Sequence, residues 1–212
     1  MRENFKISIS KEQISTLPIA SFQGEITVVD TPENVGSAVQ LLEREKLIGF
    51  DTETKPSFKK GHTNKVALMQ LSTVDHCFLF RLNRLGMGDE ISNLMENESI
   101  TKIGLSIHDD FNVMHRSSHV MPRGFVELQS LVKDYHIEDI SLQKIYAIIF
   151  GEKISKGQRL TNWEAESLSP QQQRYAATDA WACLRIYNFL KSGQFHPEAS
   201  PYIIPESDTT EN

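Results

Sequence analysis

An α/β sandwich, with a mixed central β-sheet flanked by helices, is the fold class that this sequence predicts. Short apolar runs of strand length recur at 26–29, 47–50, 66–71, 77–80 and 101–107. Helical periodicities fall between and after them, and no internal repeat or interdomain linker interrupts the order. The chain has 212 residues, of which 39% are hydrophobic and 24% charged, enough apolar material for one core without disulfides or a structural metal.

Residues 1–24 carry turn formers and little periodicity and read as an N-terminal extension. The run at 26–29 (Ile-Thr-Val-Val) is a strand. Thr31 is placed to cap the helix that follows and Pro32 suits its first position, so a helix is predicted to about Arg44. Val35, Ala38, Leu41 and Leu42 give it an apolar stripe. The run at 47–50 is continuously apolar, as expected of a central strand covered on both faces. Residues 66–71 and 77–80 flank a turn around Asp75 and predict a hairpin. A helix near 89–97, a strand at 101–107, a helix directly after it and a possible strand at 125–128 follow. From there the chain reads as mostly helical to about Lys191. The stretch 193–212 holds three prolines, ends Glu-Ser-Asp-Thr-Thr-Glu-Asn and is expected to be a loose tail. The domain is therefore expected to span 25–192.

Composition excludes some classes. The formal net charge is −6, whereas a protein gripping a long duplex through its phosphates is usually basic. An enzyme that holds only a few nucleotides remains compatible, because metal-binding acids add to the negative count. Cys77 and Cys183 each sit in an apolar run and read as buried reduced thiols. His115 and His119 have helical spacing, but two histidines are too few for a zinc site, and Arg116, Ser117 and Ser118 between them suggest surface. No secretory h-region or membrane span is evident, so a cytoplasmic location is the default expectation, and the sequon at Asn97 carries no meaning there.

Three segments carry candidate chemistry. Asp51-Thr52-Glu53 closes the central strand, and strand alternation sends Asp51 and Glu53 to the same side. Two crowded carboxylates repel unless a cation compensates, and hard oxygen ligands select magnesium or manganese. Alone, the pair reads first as a strand ending in solvated acids. Next, Ile107, Phe111 and Met114 form an inward helical stripe; Asp110 borders it while Asp109 points toward solvent. A helix N-terminus also favours acids for plain electrostatic reasons. Lastly, Ala176, Ala180, Cys183, Tyr187 and Leu190 define the buried face of a long helix, with Asp179 beside it and Tyr175 one turn earlier. Taken together, Asp51, Glu53, Asp110 and Asp179 are the oxygen ligands a two-metal phosphoryl-transfer site needs.

These segments resemble the DEDDy group of 3′–5′ exonucleases within the ribonuclease H-like fold, nearest the Werner-type exonuclease domain and the nuclease domain of ribonuclease D. The resemblance covers roughly 25–192 and rests on Phe50-Asp51-Thr52-Glu53, the segment 65–71, the segment 103–110, Thr161-Asn162-Trp163 and the segment 175–180, in the family's order. It implies that Asp51, Glu53, Asp110 and Asp179 bind two magnesium or manganese ions and that Tyr175 orients the attacking water. It also implies a nucleic-acid substrate with a free 3′ end, single-stranded or frayed, cut to nucleoside 5′-monophosphates. Thr54 stands where relatives often carry an aromatic residue, which weakens an expectation of base stacking there. Thr52, Thr54, Lys55, His108 and Trp163 are further candidates for touching the strand, although Trp163 reads first as core packing, with strand contact as its alternative, and His108 first as a surface histidine. Lys55, Lys59, Lys60 and Lys65, and likewise Lys153, Lys156 and Arg159, form basic groups able to hold phosphates or simply to face solvent. DNA is the expected substrate, ribonuclease D-like trimming of RNA ends the alternative, and a non-catalytic nucleic-acid-binding module the rival of another class.

Overall fold

The computed structural model describes residues 5–57, 64–116 and 118–205. In chain order its elements are β1 (Phe5–Ile7), α1 (Lys11–Ser15), β2 (Ile19–Ala20), β3 (Glu25–Val29), α2 (Pro32–Leu42) and β4 (Leu47–Thr54). Then come β5 (Val66–Ser72), β6 (His76–Phe80), α3 (Leu82–Leu85), α4 (Asp89–Glu96), β7 (Thr101–Gly104) and α5 (Ile107–Met114). The remainder is β8 (Phe125–Glu127), α6 (Leu128–Leu131), α7 (Leu142–Phe150), β9 (Lys153–Ile154), α8 (Pro170–Lys191) and β10 (Ile203–Pro205).

Six strands form one mixed sheet in the order β3-β6-β5-β4-β7-β8, in which β5 runs against its two neighbours and the other pairings are parallel. The fully buried, mostly apolar β5 and the buried start of β4 sit in the middle, as continuous apolar runs require. On one face Phe50, Met69 and Leu71 pack with Val35, Leu42, Leu94, Ile107 and Met114, so α2, α4 and α5 lie there. On the other, α7 and α8 bring Ile145, Ala147, Ala176, Ala177 and Cys183 against Leu68, Leu79 and Ile103. Helix α8 starts with a capping box, Ser169 accepting from the Gln172 amide and Gln172 returning to Ser169, followed by Pro170. Its approach to the sheet depends on small residues: a Cβ added to Gly49 would lie 1.9 Å from the Ala180 carbonyl oxygen. That contact lays α8 directly on β4 and fixes the register between their acids.

The helical stretch expected through 129–191 is interrupted by β9 and by an irregular connection over 155–169. The N-terminal extension is also more structured than its composition suggests. Ile7, Ile9, Ile14, Ala20 and Phe22 are buried, β1 pairs antiparallel with β10, and β2 pairs parallel with β9. The tail expected to be loose after Gly193 is held as far as Pro205 by the β1 pairing, Phe5 opposite Pro205 and Ile7 opposite Ile203. Both corrections have one cause. These strands are two or three residues long and their partners lie far away in the chain, so no local periodicity announces them. Residues 206–212 lie outside the described residues.

Candidate active site

The site is assembled from the end of β4, the first turn of α5 and the second and third turns of α8. Asp51 and Glu53 share one face of β4, and Asp179 comes to meet them from α8. Ligand oxygens of these three residues lie within 4.8 Å of one another. Two oxygens on a single magnesium ion are separated by roughly 3–4 Å when the bonds are about 2.1 Å, so a small contraction would close this set on a cation. Asp110 is not within that trio. It stands at the start of α5 on the other face of β4, where its Oδ1 accepts a 2.5 Å hydrogen bond from the Thr52 hydroxyl. Its charge nevertheless raises the pKa of both Asp51 and Glu53.

Electrostatics describe a cluster short of positive charge. Burial, then the charges of Asp179, Glu53 and Asp110, hold the Asp51 carboxyl well above the usual carboxylate range. Burial and the charges of Asp179 and Asp110 push Glu53 up to about 9, with Arg159 opposing. Burial raises Asp110 to about 7 against the Thr52 hydrogen bond, and Asp179 to about 7 against the Tyr175 hydrogen bond and Lys156. Burial and the surrounding acids raise Tyr175 as well, so its phenol stays protonated and donates to Asp179. Across the ladder from Asp51, the fully buried Gln70 has neither amide atom hydrogen-bonded. An all-oxygen donor set, an excess of buried carboxylates and an unpaired amide beside them fit a hard divalent cation.

A cavity of about 350 Å³ opens on this cluster, lined by Tyr175 and Asp179, by Lys156 and Arg159, and by Leu105 and Ile140. Sequence reasoning did not single out Glu127, which organises one edge. Its carboxylate accepts from the backbone amides of Ser106 (3.0 Å), Ile107 (2.8 Å) and Gln129 (2.9 Å), holding the α5 N-terminus that carries Asp110. Ser106 takes a left-handed conformation, φ 61°, and does not cap the helix with its own side chain, so Glu127 supplies the acceptor.

The other expected contacts divide. Thr52 serves Asp110, and Thr54 lies half-buried just after a register irregularity in β4. Lys55 is exposed but ion-paired to Glu164 at 3.1 Å. His108 is exposed on α5, as is Asp109. Trp163 is 0% exposed and packs its ring on Tyr175 with centroids 6.0 Å apart, so it backs the tyrosine and offers no surface to a strand. Both cysteines are buried free thiols, and His115 and His119 are exposed. Lys59, Lys60 and Ser117 lie outside the described residues. No helix among the described residues is long and apolar enough to cross a membrane.

Residues 26–193 match a family model described as 3′–5′ exonuclease. The chain belongs to this family. It is 33% identical over 150 residues to the bifunctional 3′–5′ exonuclease/ATP-dependent helicase WRN of Mus musculus, covering 68% of this chain and 11% of that protein. It is 26% identical over 204 residues to the exonuclease mut-7 homolog of Aedes aegypti, covering 84% of this chain and 28% of that one. The chain thus spans less than a third of either relative. Among solved structures, Trypanosoma brucei RNase D in complex with RNA U12 superposes with a TM-score of 0.71 at 19% identity, over 90% of this chain and 76% of that one. The ribonuclease H-like fold, the mixed sheet and the exonuclease class expected from the motifs are therefore found.

Proposed function

We propose that this 3′–5′ exonuclease hydrolyses the terminal phosphodiester of a single-stranded or frayed 3′ end, with two magnesium or manganese ions, and releases nucleoside 5′-monophosphates. The observation that carries the reading is the meeting of Asp51, Glu53 and Asp179 from two separate elements, with the Tyr175 hydroxyl beside them. Asp51, Glu53 and Asp179 would hold one ion, and Asp51 with Asp110 the other. Bound ions supply an activated water and stabilise the departing 3′-oxygen. Tyr175, kept protonated, cannot act as a base at neutral pH; its hydroxyl orients the water for in-line attack. Thr52 and Glu127 aim Asp110, the first by a direct hydrogen bond, the second by fixing its helix. Lys156 and Arg159, on the cavity wall, offset phosphate charge.

DNA is taken as the substrate on the greater identity to the Werner-type protein, 33%. The likeness to an RNase D solved with RNA favours the second reading, trimming of RNA ends. The test is digestion of matched 5′-labelled DNA and RNA strands with magnesium, beside EDTA and Asp179→Ala controls. A ladder shortening from the 3′ end, absent from both controls, supports the metal site; its nucleic-acid preference decides between DNA and RNA. No cleavage of either, single-stranded or recessed, with magnesium or manganese, would leave a binding module.

A further inference from the structure

Tyr175 is a wall between two cavities. One is the cavity that opens on Asp179. The other, of about 400 Å³, lies on the far side and shares Tyr175, Ile154 and Ser155 with the first. One wall is β2, Ile19 and Ala20, continued by Ser21, and held in register by the pairing of Ile19 with Lys153 and Ala20 with Ile154. These residues precede the family match at 26–193. The N-terminal segment therefore adds a wall beside the catalytic tyrosine that the family-matched part of the chain does not supply.

The lining has the chemistry of a nucleotide site. Ile19 is 68% exposed, an apolar face turned to solvent at the cavity rim. Gln158 and Gln171 bring amides able both to donate and to accept, as base edges and sugar hydroxyls require. Arg174 brings positive charge, its Nη1 donating to the Phe22 carbonyl at 2.6 Å so that the N-terminal segment also fixes the guanidinium. With Lys156 and Arg159 on the other side of Tyr175, cations lie along both cavities of a chain whose net charge is −6.

We propose that this second cavity is a subsite for the strand beyond the first nucleotide upstream of the scissile phosphate, a part that a dinucleotide lacks, so that the N-terminal segment sets how strongly longer strands are held. The inference rests on the exonuclease reading above. An enzyme removing one nucleotide leaves a single residue beyond the scissile phosphate, and that residue belongs with the phosphate in the first cavity, beside Asp179, Lys156 and Arg159. Whatever continues past Tyr175 is upstream strand.

The test compares the full chain with Ile19→Glu and Gln171→Lys on a 5′-labelled dinucleotide and on a single strand of about a dozen nucleotides, within the span such grooves hold. Both positions are exposed, so folding is not at stake. For Ile19→Glu the ratio of the long-strand KM to the dinucleotide KM should rise roughly two- to fivefold, the size of one exposed charge contact. Gln171→Lys should move the ratio the opposite way and steepen the salt dependence of long-strand binding. Equal effects on both lengths, or none in either variant, would overturn the subsite while leaving the exonuclease reading intact. A wild-type chain that cleaves neither length would sink the exonuclease reading, and the subsite with it.

Discussion

Replacing the buried Asp179 with Asn should make the metal-free protein more stable at alkaline pH, at the expense of its chemistry. Burial pushes this carboxyl up to about 7 in the folded chain, with only Tyr175 and Lys156 opposing, and it is 9% exposed. An unfolded aspartate titrates near 4, so the folded form holds its proton about three units longer, on the order of 4 kcal/mol at about 1.36 kcal/mol per unit. The sign is fixed by that order: the contribution is present below about pH 4, falls as pH rises, and is gone above about pH 7. Asn has no proton to lose, and its side-chain oxygen still accepts from Tyr175. In EDTA near pH 8 the variant should melt roughly 8–16 °C above the wild type, taking about 2–4 °C per kcal/mol for a domain of this size. Near pH 4 the gap should close. Thermal melts by circular dichroism across that range, with EDTA or magnesium, measure both effects. Magnesium should raise the wild-type melting temperature and raise that of the variant less, since the variant has lost a ligand. A variant that melts at or below the wild type in EDTA near pH 8, or a gap independent of pH, would refute an uncompensated acid cluster.

Other substitutions separate the roles. Asp51→Ala removes the acid nearest the centre of the cluster and should cut the magnesium-dependent rate on the order of 10³-fold or more, read as single-turnover cleavage. Tyr175→Phe keeps the ring against Trp163 but loses the hydroxyl; kcat should fall about 10²-fold while calorimetric magnesium affinity holds. Should affinity fall in parallel, the hydroxyl acts on the ligands and not on the water. Glu127→Gln leaves one acceptor oxygen for three backbone amides and should cost about 1–2 kcal/mol in chemical denaturation. It should also raise the magnesium concentration needed for half-maximal rate, because the helix start that carries Asp110 is then held less firmly.

The parts of the site that local periodicity controls were legible in the sequence. Strand alternation put Asp51 and Glu53 on one side, helical spacing put Tyr175 one turn before Asp179, and the stripe of Ile107, Phe111 and Met114 chose Asp110 over Asp109. The central strand and the long helix were legible for the same reason, being long and strongly patterned. Interactions between distant segments were not. Glu127 looks like an ordinary strand-end acid until the left-handed turn at Ser106 presents two amides to it. Trp163 reads first as core, with strand contact as the alternative, and its burial against Tyr175 places it in the core. The N-terminal segment was the largest omission: its two short strands depend on β9 and β10, whose own sequences are unremarkable without them.

That last pairing also governs how the domain responds to force. Because β1 and β10 are antiparallel, with Phe5 opposite Pro205, their outer ends lie side by side. Tension applied at those ends pulls across the hydrogen bonds one after another, as in unzipping, and does not load them all at once in shear. The first event under load is then removal of Ile7 and Ile9 from the α7–α8 side of the core, with the six-stranded sheet and the acid cluster still intact. A protein tethered there would yield at its edge well before its active site came apart.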